Sequence, residues 1–117
     1  MNSDLDFQEV QSRLAEIKEQ FDSLILEIEN DTPNRMWIRD HYRELKEKLR
    51  NEFKLSQTRK GRDRASEFET TYYYPAITDA YLNLTVRTNS PPNNMMLRCL
   101  IGGEADISYR LSQMNRQ

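Results

Sequence analysis

Residues 7–28 read FQEVQSRLAEIKEQFDSLILEI, with apolar side chains at Phe7, Val10, Leu14, Ile17, Phe21, Leu24 and Ile28, spaced 3, 4, 3, 4, 3, 4 without a break. A stripe of that period lies on one face only if the backbone is helical. The stretch therefore predicts an amphipathic helix whose a/d seam runs for three heptads. Asp6 with Glu9 three residues later resembles a capping box at its start. The sequence NDTP at 30–33 ends it, with Thr32 as N-cap and Pro33 at the first position of a second helix.

That second helix continues the period through Ile38, Tyr42, Leu45, Leu49 and Phe53. A connection so short requires the two helices to fold back antiparallel. Charge divides along the same boundary. Residues 1–32 hold nine acids and two bases, a net −7, whereas residues 33–64 hold eleven bases and five acids, a net +6. In an antiparallel hairpin the acidic flanks of the first helix lie beside Arg39, Arg43, Lys46, Lys48 and Arg50. Exposed pairs stabilise by only about 0.2–0.5 kcal/mol each, so this predicts a device for register rather than for stability.

A two-helix seam is too narrow to form a core alone, and the second half of the chain must cover it. Residues 56–66, SQTRKGRDRAS, contain no apolar residue except Ala65 and read as a loop around Gly61. Ser66 and Glu69 form another capping-box signature, before a helix reaching about residue 88. NSPPNN breaks the chain, and Asn93 or Asn94 caps a last helix whose apolar positions are Leu97, Leu100, Ile101, Ile107, Leu111 and Met114. The expected fold is all-α: a single domain over 1–117 in the form of a four-helix bundle. A charged hairpin over 1–57 pairs in it with an aromatic-rich hairpin over 66–117.

Two positions conflict with regular helix. Pro75 has no N–H and its ring meets the carbonyl of Thr71, so the third helix either kinks there or starts there, with ETTYYY extended. The pair Gly102-Gly103 costs about 2 kcal/mol against alanine in a helix. It either breaks the last helix or lets a bulky aromatic on a neighbour come close.

The chemistry the chain lacks narrows its function. His41 and Cys99 are the sole histidine and cysteine, so a zinc site and an internal disulfide are not expected. Cys99, between Leu97 and Leu100, reads as a small buried hydrophobe, and His41 as a solvated helix-face residue. Three glycines in total provide no phosphate-cradling loop. Carboxylates in the second half are sparse, and neither a metal nor a cofactor is expected. No run approaches the roughly 18 apolar residues of a membrane span. The acidic opening argues against a secretory leader, and the single cysteine fits a reducing compartment, so the expected location is the cytoplasm.

Binding features remain. Successive helical residues point about 100° apart, so the rings of Tyr72, Tyr73 and Tyr74 cannot all face one core. They form either a half-buried girdle around a kink or, with Trp37, a partner-facing patch, a place that suits tyrosine's large area and low rotamer entropy. Arg59, Lys60, Arg62 and Arg64 form the second candidate, a phosphate-binding loop extending from Lys54 to Arg64. These features together predict a non-catalytic protein-binding module: an inhibitor, an immunity- or antitoxin-like protein, an adaptor or a regulator. A homodimer is compatible with the surplus aromatics. Recognition of nucleic acid or a phosphate ligand through the basic loop is the alternative, and the sequence pI near 5.5 weighs against it.

Overall fold

The seam of the first helix is buried along its length: Val10, Leu14, Ile17, Phe21 and Leu24 are all core residues, with Phe7 and Ile28 packed at its ends. In the computed structural model, which describes residues 3–85 and 92–116, the chain is all-helical. The described residues form α1 (Ser3–Ile28), α2 (Arg35–Gln57), α3 (Arg59–Arg64), α4 (Tyr74–Leu84) and α5 (Asn93–Asn115), with a π-helical turn at Glu69–Tyr73 leading into α4. The molecule is elongated, 49 × 29 × 17 Å. No described helix is long and apolar enough to cross a membrane.

The helix starts differ from those expected. α1 begins at Ser3, upstream of the Asp6/Glu9 signature. Asn34 rather than Thr32 caps α2: its Oδ1 accepts from the Trp37 N–H at 3.0 Å, and Pro33 lies outside the helix. Pro92 occupies the N-cap of α5, which starts at Asn93. In each case the pattern locates the helix but not its first residue. Most of residues 56–66 is helix rather than loop, with Thr58, Ala65 and Ser66 outside the helices. α2 runs on to Gln57, and Thr58 then caps α3 by accepting the Gly61 N–H at 2.9 Å. A Cβ on Gly61 would fall 2.0 Å from the Leu55 carbonyl oxygen, so only glycine lets α3 fold this tightly onto the end of α2. α4 ends at Leu84 with Thr85 as its C-cap, and the expected end of the third helix near residue 88 lies outside the described residues.

α5 packs extensively on both α1 and α4, and α2 packs on α4 and less extensively on α1. The glycine pair explains the first contact. α5 runs unbroken through Gly102 and Gly103, and a Cβ on Gly103 would lie 2.6 Å from Phe21 Cε1. Gly102 faces Asn83 of α4, whose Nδ2 donates to Asp106 on α5 at 2.6 Å and to the Asp79 carbonyl at 3.0 Å. Between α2 and α4 the join is aromatic, with Phe53 stacked on Tyr81 at 5.1 Å. Of the expected apolar positions of α5, Leu100, Ile107 and Met114 are core, whereas Ile101 is 50% exposed.

The ion pairs do not follow the predicted register. Among the described residues no acid of α1 pairs with a base of α2. Arg13 of α1 instead reaches Glu69 at 3.0 Å, Lys18 reaches Glu104 of α5 at 3.5 Å, and Arg50 turns to Glu47 of its own helix at 3.6 Å. Of the α2 bases expected beside α1, Lys48 lies in the gap between the two helices, and it pairs with no acid of α1 among the described residues.

Candidate functional site

The capping box at the start of the third helical segment forms as expected: the Ser66 N–H donates to Glu69 Oε1 at 3.0 Å and the Glu69 N–H to Ser66 Oγ at 3.2 Å. The segment after it is helical rather than extended. The Tyr74 N–H reaches back five residues to the Glu69 carbonyl, closing a π turn immediately before Pro75. The wider turn takes up the missing donor and the proline ring without ending the helix. It also winds the preceding residues back toward the core, so Tyr72 and Tyr73 are both buried, at 8% and 1% exposure. Tyr74 is half-buried, edge-on to Tyr73 at 5.2 Å. Of the two readings the sequence allows for these rings, Tyr72 and Tyr73 fit the buried girdle and not an exposed patch. Two of the three rings belong to the core, because the extra residue of the π turn changes their phase.

Tyr73 is enclosed by charge. The Arg13 guanidinium sits 3.9 Å above its ring centre and bonds Glu69 from there. Burial acts to raise the Glu69 carboxyl, but the Ser66 N–H and Arg13 outweigh it and hold the group below its usual range. Burial, reinforced by Glu52, pushes the Tyr73 phenol up to about 12 against the pull of Arg13. Neutral tyrosine is thus favoured in the fold. Its stabilisation is complete below the unfolded value near 10 and is lost as pH rises from there toward 12. We expect urea midpoints to fall across that window by the equivalent of about 2–3 kcal/mol. Tyr73→Phe should reduce the decline, with the burial-raised phenols of Tyr42 and Tyr74 contributing what remains, and an unchanged decline in that variant would place the sensitivity elsewhere.

An open feature of the described surface lies between α1 and α2, where their contact is thin. A groove of about 500 Å³ runs there over Leu24 and Leu45, flanked by Glu16, Glu19 and Gln20 from α1 and by Trp37, His41 and Glu44 from α2, with Lys48 at one end. Trp37 is half-buried and stacks on His41 with ring centres 4.0 Å apart and planes 21° apart. His41 Nδ1 lies 2.8 Å from the Trp37 carbonyl, which only accepts, so Nδ1 carries the proton and Nε2 is the ring nitrogen open to a ligand. Gln20 Oε1 is buried and has no hydrogen-bond donor among the described residues. Glu16, Glu19, Glu44 and Lys48 take part in no ion pair within 4.0 Å among those residues. Three unpaired carboxylates and an orphaned amide oxygen face a single ammonium, so the groove has a surplus of acceptors and suits a partner bearing donors.

Of the binding residues proposed from sequence, Trp37 alone lines this groove. His41, expected as a solvated face residue, is instead the second ring of its wall. Sequence reasoning misses the α1 residues because they sit beside the seam rather than on it. The spacing 4, 3, 4 of Trp37, His41, Glu44 and Lys48 is the available signal. Cys99 is half-buried against the core beside Tyr42, whose hydroxyl donates to the Leu84 carbonyl at 3.3 Å. Lys54, Arg59, Lys60, Arg62 and Arg64 are exposed, as expected, but stand on α2 and α3 rather than on a loop. No group of three or more His, Cys, Asp or Glu among the described residues is placed to hold a metal ion. Comparisons of the chain with protein-family models, curated proteins and solved structures found no match.

Proposed function

We propose that this protein is a non-catalytic, cytoplasmic protein-binding module, an adaptor, inhibitor or immunity-type regulator, whose docking site is the groove between α1 and α2. In this reading the four long helices act as one bundle that holds the groove rigid. The observation that carries it is the Trp37–His41 stack standing in the wall of that groove above Leu24 and Leu45. Protein interfaces concentrate their binding energy on a few large aromatics at the centre of a water-excluding patch, with charged groups at the rim. The surplus of acceptors specifies the partner's chemistry: an apolar anchor flanked by lysine or arginine.

Trp37 is the sole tryptophan, so its emission reports on the groove alone. Bait protein should retain a partner from a lysate of the native host, and titrating that partner should shift the emission. Trp37→Ala should weaken binding by about 2 kcal/mol or more, roughly thirtyfold. Its unfolding midpoint should stay close to wild type, because the ring is only partly enclosed. A folded Trp37→Ala protein that binds the same partner equally well would remove the groove from consideration.

A further inference from the structure

A second surface lies on the other side of α2. Arg35, Arg39, Arg43, Lys46, Arg50 and Lys54 follow one another at intervals of 4, 4, 3, 4 and 4 residues. At about 100° per residue these intervals bring all six onto an arc of roughly 100°. They form one straight basic stripe about 28 Å long. The groove residues Trp37, His41, Glu44 and Lys48 point about 160° away from its centre. All six bases are exposed except Lys46, which is half-buried. Of their own helix's acids, Glu47 alone reaches the stripe, at Arg50. At its C-terminal end the stripe is extended by α3, whose four bases are exposed and held against α2 by the close approach at Gly61.

We infer that this stripe, continued by α3, binds the phosphate backbone of duplex nucleic acid without reading its sequence. The chemistry of the surface favours that occupant. Bases recur every 4.5–6 Å or so along the helix axis, a spacing that can meet successive phosphates. Arginine predominates, four of six on α2 and three of four on α3, and its planar fork suits phosphate oxygens. A lipid surface fits less well, since a helix that lies on a membrane buries its apolar face there. The apolar face of α2, Ile38, Tyr42, Leu45 and Leu49, is already in the core. A single strand fits less well too, because such sites stack bases on exposed aromatics. Among the described residues the one strongly exposed aromatic is Tyr109, on α5. The overall net charge of −2 does not oppose the inference, because the acids that produce it are concentrated on α1, on the side away from the stripe.

The test is a fluorescence-anisotropy titration of a labelled duplex of about 20 base pairs at roughly 50 and 200 mM salt. Wild type should bind, and binding should weaken on the order of a thousandfold between the two salts if about six phosphates are neutralised. Arg39→Gln/Arg43→Gln/Arg50→Gln should bind at least about tenfold more weakly and lower the salt slope by about three. All three positions are exposed, so the variant's melting temperature should match wild type. Arg98→Gln, a base on α5 away from the stripe, should bind as wild type does. The inference is overturned if the duplex does not bind at the lower salt or if the triple variant binds equally well. It is also overturned if a single strand of the same length or phosphatidylserine vesicles bind and the duplex does not. Salt-sensitive self-association that the triple variant abolishes, without duplex binding, would overturn it too and assign the stripe to a second copy of the chain.

Discussion

Phe21→Ala is expected to cost about 3–5 kcal/mol, the largest loss for a single truncation in this core. The ring is fully buried and lies directly over Gly103, where a Cβ would come within 2.6 Å of Cε1 and 2.8 Å of Cζ. The same geometry makes Gly103→Leu destabilising by at least about 2 kcal/mol, since overpacking outweighs the gain of about 1 kcal/mol in helix propensity. The double variant should be less damaged than the sum of the two, because leucine then occupies the space the phenyl ring has left. Urea unfolding of all four proteins at room temperature gives the coupling directly, and a difference near ~2 kcal/mol is expected. Strict additivity would mean that the ring and the glycine do not face each other, and that α1 and α5 are joined some other way.

Deleting Thr71 should cost about 3–5 kcal/mol, a loss comparable to that of Phe21. The π turn carries one residue more than an α turn, so its removal rotates everything before it by about 100° relative to α4. Phe68, which stacks on Tyr72 at 6.2 Å and meets Phe7 edge-on at 5.4 Å, would then leave the core edge. Glu69 would swing away from Arg13, leaving a guanidinium over Tyr73 without its carboxylate. Loss of one large apolar contact accounts for about 1.5–3 kcal/mol, and the broken pair for much of the remainder. Calorimetry on the deletion variant measures this. A melting curve indistinguishable from wild type would show that the turn carries no structural burden.

Much of the fold is legible in the pattern of side chains. The stripes Val10 to Leu24 and Ile38 to Leu49 are core in full, and the Ser66/Glu69 capping box closes as written. These depend on interactions between residues three or four apart, which the chain specifies locally. The candidate sites are legible only in fragments. Trp37 stands out in the sequence as a binding residue, but the carboxylates that share its groove do not. The bases from Arg59 to Arg64 stand out without the six-residue stripe on α2 that leads to them. Both shortfalls have one cause: the apolar period draws attention away from the second stripes that run beside it.

By itself the sequence determined that the chain is helical, which faces are apolar, and that acids gather on the first helix and bases on the second and on the segment that follows it. Tertiary structure alone decided which helices meet. α1 takes α5 as its main partner, because Gly103 lets Phe21 seat there, and it leaves its contact with α2 open as a groove. Tertiary structure also decided the conformation before Pro75. An extended run and a π turn both satisfy the local chemistry of a proline without a donor. The π turn prevails because it alone keeps the helix continuous while bringing Tyr72 and Tyr73 together into the core, and that burial exists only once α1, α2 and α5 are there to supply it.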